Sequence, residues 1–278
     1  MRLKERHAEV SLQTVCELFG YTRQAYYKSL KSNRQGVIVD HLILLHVEQI
    51  RKMMPRLGTR KLHYMLQERG IEVSRDRLFN LLREKQMLVK RRKKYTVTTH
   101  SKHWMKKYPN LIAGFNFKRP NQLWVSDITY IPVADSYAYL SLITDAFSRK
   151  ILGYCLFQSL SGEGSLKALE MALAGSNTNF QGLIHHSDRG VQYCNKEYVD
   201  LLKTNTMRIS MTENGDPYEN ALAELVNGIL KDEWLSLERF DSFQQAKERI
   251  DQVIRIYNEH RPHLSCGMKT PAKMHDTK

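Results

Sequence analysis

Cysteine is scarce in this sequence, and the few present do not cluster. Cys16, Cys155, Cys194 and Cys266 are the only four in 278 residues, and no two of them form a Cys-x-x-Cys pair. That spacing excludes a disulfide scaffold and a cysteine-rich zinc module, and it predicts reduced thiols in a cytoplasm. Long apolar runs are missing as well. No stretch approaches the roughly 20 residues needed to cross a bilayer, so no membrane partner is expected, and Met1-Arg2-Leu3-Lys4-Glu5-Arg6 has no secretory character. Acidic residues are in short supply at the front. Residues 1–120 carry 27 Lys+Arg against 9 Asp+Glu, whereas the remainder carries 16 against 20. A basic front joined to a mildly acidic back suits a protein whose first task is to grip a polyanion such as DNA.

Three carboxylates stand out in what remains. Asp127 lies in Leu-Trp-Val-Ser-Asp-Ile-Thr-Tyr-Ile, which alternates like a strand, and Asp188 closes Gly-Leu-Ile-His-His-Ser-Asp before an Arg-Gly turn signal. Glu224 sits in a segment of helical period, with 35 residues between it and Asp188 and with Lys231 seven positions further on. At 100° per residue Asn220, Glu224, Asn227 and Lys231 form one narrow stripe, opposite Leu222, Val226, Ile229 and Leu230. The glutamate therefore faces away from the apolar side, and Asp232 and Glu233 fall off the stripe, toward solvent. Two strand-borne aspartates and one helix-borne glutamate are what a pair of Mg²⁺ or Mn²⁺ ions needs for phosphoryl transfer.

The front half reads as helical. Ser11–Leu18 is followed by Gly20, and Thr22 caps a second helix reaching about Leu30, which makes residues 1–35 a small helix-turn-helix-like segment. Within 36–88, a helix over Thr59–Arg69, a turn at Gly70 and a helix capped by Ser74 make a helix-turn-helix DNA-binding module. Its second helix buries Leu78, Phe79, Leu81 and Leu82 and leaves Arg75, Arg77 and Arg83 to solvent. Residues 89–118 open with Lys90, Arg91, Arg92, Lys93 and Lys94 and interleave bases with aromatics, predicting a basic linker that lies along DNA. The catalytic half, 119–240, reads as strands at 123–132, 138–145 and 150–157, a helix at 163–174, a strand at 182–187, a helix at 195–204, a strand at 207–211 and then the Glu224 helix. A closing helix at 242–257 heads the C-terminal segment 241–278, with Arg261-Pro262-His263 as a structural clasp. Asp145 is expected to pair with Arg149 in a turn, and His185 and His186 to position Asp188.

The motifs resemble those of bacterial insertion-sequence transposases of the IS-three family, within the DDE and retroviral-integrase superfamily. The residues that carry the resemblance are Trp124, Asp127-Ile128-Thr129-Tyr130, His186-Ser187-Asp188-Arg189-Gly190, Gln192-Tyr193, Glu213-Asn214-Gly215, Tyr218-Glu219-Asn220-Ala221, Ala223-Glu224, Tyr257-Asn258-Glu259, Arg261-Pro262-His263 and Thr270-Pro271. Cys266 departs from the leucine usual in that family. The resemblance implies an α/β, RNase H-like mixed-sheet catalytic core preceded by small helical modules. It also implies Asp127, Asp188 and Glu224 as catalytic ligands of two Mg²⁺ or Mn²⁺ ions, with Lys231 against a DNA phosphate. The implied activity is metal-dependent cleavage at the element's ends and transfer of the 3′-hydroxyl into target DNA. The implied partners are the terminal inverted repeats, target DNA and further copies of the chain, in the bacterial cytoplasm at the nucleoid. Second-frame products of this family are often fused to an upstream segment with a coiled coil, and this chain has no sustained heptad. Two other readings stay open from sequence: a DNA-binding regulator idle without that segment, and a general RNase H-like nuclease.

Overall fold

The structure is a computed structural model that describes residues 10–90, 105–176, 179–213 and 220–277. At the front, α1 (Leu12–Leu18) begins at Ser11, whose hydroxyl accepts from the Thr14 amide. Gly20 then turns the chain with φ +70°, a conformation that suits glycine because it lacks a Cβ. Thr22 caps α2 as its sequence suggests, but α2 (Arg23–Met53) does not stop near Leu30. It runs unbroken across residues 35 and 36, because no proline interrupts it and Ile43, Val47 and Ile50 give its second half a buried face. α3 (Thr59–Glu68), Gly70 at φ +72° and α4 (Arg75–Glu84) follow. Ser74 caps α4 through the Arg77 amide at 3.3 Å, and Leu78, Leu81 and Leu82 are its buried face.

The rest of the chain builds one five-stranded sheet, in the order β3-β2-β1-β4-β5. β1 (Leu123–Val133), β2 (Ser136–Asp145) and β3 (Ile151–Phe157) form an antiparallel meander. β4 (Ile184–Ser187) then joins the other side of β1 in parallel, and β5 (Arg208–Met211) joins β4 in parallel. Parallel neighbours need crossovers, and helices supply them: α5 (Gly162–Ala174) leads to β4, while α6 (Val191–Cys194) and α7 (Lys196–Thr204) lead to β5. α8 (Ala221–Glu233), α9 (Phe243–Glu259) and the short α10 (Pro271–His275) complete the chain. Sequence periodicity places these strands and long helices within a few residues of their observed ends. This is an RNase H-like mixed sheet.

The two faces of the sheet are packed by different partners. Trp124, Ile143, Ile209 and Met211 pack under α5 and α7, against Ala168, Ala172, Val199 and Leu202. The approach of α5 to β3 is close enough that a Cβ at Gly153 would run into the Ala168 carbonyl oxygen. On the other face Ile131, Leu140 and Leu142 meet Val226 and Leu230 of α8 and Ile250, Val253 and Ile254 of α9. That cluster continues without a break into Ile50, Leu57, Leu62, Leu66 and Leu78 of the helical module. The module is therefore not a separate body on a tether.

The linker reading also changes. Residues 109–111 lie against β5: the Met211 amide donates to Pro109 O at 3.3 Å and the Leu111 amide to Ser210 Oγ at 2.9 Å. Leu111, Ile112 and Phe117 pack on Leu123, Val125 and Ala223. An apolar Leu-Ile beside basic residues is thus a strap on the sheet, since burying those side chains is worth more than leaving them along a polar duplex.

Candidate functional site

β1 is the central strand, and its register decides what sits beside Asp127. Leu123, Trp124 and Val125 pair in parallel with Ile184, His185 and His186. Continued by two residues, that register sets Asp127 across from Asp188, which follows the last residue of β4. Paired residues of neighbouring strands share a sheet face, so the two aspartates are neighbours. Asp188 is held by a tight turn in which its Oδ1 accepts from the Gly190 amide at 2.9 Å. A Cβ at Gly190 would sit 2.8 Å from Gln192 Oε1 and 3.0 Å from that same carboxylate oxygen, which explains the glycine.

α8 brings the third carboxylate. Part of its polar stripe is turned toward β1. Asn220 and Asn227 are buried, the Asn220 amide donating to Ser126 O at 3.3 Å and the Asn227 amide to Asp127 Oδ2 at 2.8 Å. Glu224 lies between them in the first turn of α8, exposed, where the helix dipole favours a carboxylate. Burial pushes the Asp127 carboxyl up to about 7; the Asn227 hydrogen bond opposes this, and the charges of Asp188 and Glu224 add to it. Lys231, partly buried on the same helix, has its ammonium disfavoured by burial and favoured by Asp127.

Donor chemistry at this place fits a hard divalent cation, since all three groups are carboxylates whose charges feel one another. Their separation is another matter: among the described residues, no three His, Cys, Asp or Glu side chains are gathered tightly enough to hold a metal ion.

The neighbouring histidines have other work. His185 is buried between Ser126 Oγ at 2.7 Å and the Tyr198 hydroxyl at 2.9 Å, and burial pushes its pKa down to about 3, so it is neutral. His186 Nδ1 bonds Ser210 Oγ at 2.8 Å. These bonds tie β4 to β1, α7 and β5, and so fix the strand that ends at Asp188. Asp145 is structural and shares the expected turn with Arg149, whose backbone amide donates to Asp145 O at 2.9 Å, but its carboxylate is held by other residues. Its oxygens accept from the Ser148 amide and hydroxyl and from the Asn121 amide, each at 2.7 Å, while Arg149 Nη1 donates to Ala146 O.

The basic residues are more dispersed. On α4, Arg75 bonds its neighbour Asp76 at 3.0 Å, whereas Arg77 is engaged by Asp40 of α2 at 2.7 Å and is less available than its sequence suggests. Lys90 is exposed; Arg91, Arg92, Lys93 and Lys94 lie outside the described residues, as do Asn214, Gly215, Tyr218 and Glu219 of the motifs. Glu233 overturns its assignment to solvent: Arg261 Nη2 and Nε reach it at 2.6 and 2.7 Å, and Lys61 at 3.4 Å. Helical arithmetic on α8 could not show this, because both cations come from elsewhere in the chain.

Comparison with known proteins agrees with this architecture. Integrase core domain models match residues 118–217 and 205–271. The chain is 36% identical over 263 residues to the insertion element IS600 uncharacterized 31 kDa protein of Shigella sonnei, covering 93% of this chain and 96% of the relative. It is 27% identical to transposase InsF for insertion sequence IS3A of Escherichia coli, covering 97% and 95%. In fold it resembles a chain of a simian T-cell lymphotropic virus intasome solved with the PP2A regulatory subunit B56 gamma, at TM-score 0.50 and 16% identity, over 83% of this chain and 74% of that one. Sheet order, motif spacing and near full-length similarity converge: the chain belongs to the IS-three family of insertion-sequence transposases, with an integrase-type catalytic core.

Proposed function

We propose that Asp127, Asp188 and Glu224 are the catalytic, metal-binding carboxylates of this transposase, and that it cuts one strand at each end of its element before joining the freed 3′-hydroxyl to target DNA. The observation that carries this is the adjacency of Asp127 on β1 and Asp188 just past the end of its parallel neighbour β4, with Glu224 near enough for its charge to raise the Asp127 pKa. A carboxyl pushed toward neutrality by burial and like charge marks a place where a divalent cation relieves repulsion. Two Mg²⁺ or Mn²⁺ ions, when bound, stabilise the attacking and leaving oxygens of an in-line displacement.

The chain's own residues orient that site. Asn227 fixes one Asp127 oxygen, and the Gly190 amide fixes one Asp188 oxygen. The attacking group is water or a DNA hydroxyl, so no protein nucleophile is required. Lys231 lies on the face of α8 that carries Glu224, which supports its assignment to a DNA phosphate near the reacting one. Arg75 and Lys90, together with Arg91, Arg92, Lys93 and Lys94, supply the sequence-independent grip on the terminal repeats and target, to which Arg77 adds only where DNA replaces its Asp40 partner. Joining two ends in one event calls for more than one copy of the chain on DNA.

The test is nicking and joining of labelled duplexes bearing the inverted repeats that flank the gene, in Mg²⁺ or Mn²⁺, for wild type and Glu224→Gln. Joining lost in the variant, with duplex binding retained, is the expected result. Equal joining by both proteins would remove Glu224 from the catalytic set.

A further inference from the structure

Glu233 ends the helix that carries Glu224, and it is held unlike a surface carboxylate. It and Lys61 keep only 13% of their side-chain surface, and Arg261 keeps 2%. Burial alone would raise the Glu233 carboxyl, but the hydrogen bonds and charges of Arg261 and Lys61 hold it below its ordinary value, so it is ionised. The three partners come from three places: Glu233 from α8, Arg261 from the segment after α9, and Lys61 from α3 of the helical module. The next residue reinforces the junction. Trp234 is fully buried, and its indole N–H donates to Met53 O at the end of α2 at 2.8 Å.

These contacts show how α8 is fixed at each end. Asn220 and Asn227 pin its start and middle to β1, while Glu233 and Trp234 pin its end to the helical module. An α-helix is stiff, and Glu224 and Glu233 are nine residues, or about 13 Å, apart along it. A tilt imposed at one end is therefore felt at the other. Arg261, with two short bonds, already satisfies the Glu233 carboxylate. Lys61 adds a longer ionic contact whose distinguishing effect is to connect α3 to α8. A buried charge cluster also gives no stability advantage over well-packed apolar residues, so what it specifies is geometry.

We propose that Lys61 is a positioning residue, which couples the placement of the α3–α4 module to the placement of Glu224 through Glu233. The inference rests on the reading of Asp127, Asp188 and Glu224 as the metal-binding set. It means that the helices reading DNA also set the geometry of the catalytic carboxylates, so that a correctly seated DNA end and a correctly formed site are one event.

The experiment is a Mn²⁺ titration followed by electron paramagnetic resonance on the full chain, with and without a duplex carrying the terminal repeat. Wild type, Lys61→Met, Lys61→Arg and Glu224→Gln are compared, each with a thermal unfolding curve and a duplex affinity. Lys61→Met is expected to bind Mn²⁺ about tenfold more weakly, the scale of loss when the support of a metal ligand is removed. Its duplex affinity is expected to be unchanged, and Lys61→Arg is expected to restore Mn²⁺ binding. Wild-type Mn²⁺ affinity in folded Lys61→Met would overturn the coupling, as would failure of Lys61→Arg to restore it. If Lys61→Met does not fold, Lys61→Gln is read by the same criteria. Glu224→Gln separates the two ideas: Mn²⁺ binding undiminished in that variant refutes the carboxylate set itself, whereas binding lost there but intact in Lys61→Met refutes only the coupling.

Discussion

Asn227 illustrates how single side chains govern this site. Its amide donates to Asp127 Oδ2 at 2.8 Å and opposes the rise in that carboxyl's pKa. Asn227→Ala should leave duplex binding intact while slowing joining about tenfold to a hundredfold, the range for loss of a group that orients a metal ligand; single-turnover joining beside a binding isotherm measures both. His185 offers a residue-scale test by pH. Its folded-state pKa of about 3 lies below the ordinary 6.5, so its contribution to stability is complete above about pH 6.5 and is lost as pH falls toward 3. Each unit is worth about 1.4 kcal/mol. Urea midpoints between pH 7 and pH 5 should fall for wild type and fall less for His185→Gln. Equal slopes would show that His185 does not stay neutral in the folded protein.

Among the elements, α8 matters most, because its ends belong to different parts of the molecule. Removing one partner of the Glu233–Arg261 pair strands a buried charge, at a cost of about 3–5 kcal/mol. Arg261→Met should therefore lower the unfolding midpoint sharply, while Arg249→Met, whose bridge to Glu238 is far more exposed, should cost about 1 kcal/mol or less. Chemical denaturation of the two variants side by side decides this. The Arg-Pro-His motif thus has a physical role as a clasp on α8, through Arg261 and Glu233. Its neighbour Asn258 works the same way on the sheet, giving and accepting 2.9 Å bonds with the Ile151 backbone. The turn between α3 and α4 is legible from sequence because Gly70, at φ +72°, is a local requirement.

The whole molecule is more integrated than a reader domain tied to a nuclease. Val226, Leu230 and Trp234 of the catalytic half share one apolar cluster with Ile50, Leu62 and Leu66 of the module. Deleting residues 1–88 would expose that face, so the truncated core should aggregate or bind a hydrophobic dye on size-exclusion analysis. A monodisperse, dye-negative core would show the interface to be dispensable. Charge acts at the same scale. Neutralising Lys90, Arg91, Arg92, Lys93 and Lys94 together should reduce the slope of log affinity against log salt by up to about 4.5, if all five sit on phosphates. An unchanged slope would make that run a tether.

What the sequence by itself determined were the features set by local periodicity and capping: the strands bearing Asp127 and leading to Asp188, the Glu224 helix, and the caps at Thr22 and Ser74. The motif spacing nominates the three carboxylates that we propose as the metal-binding set, since strand-strand-helix is a pattern in one dimension. Tertiary structure alone decided the partners. That Asn227 meets Asp127, that Pro109 and Leu111 bond to β5, that Asp145 is held by Ser148 and Asn121, and that Glu233 is buried by Arg261 and Lys61 all depend on segments meeting in space. A charged residue reads as solvent-facing in any local window. Only the fold can bring the opposite charge, from 172 residues away in the case of Lys61, that makes its burial tolerable.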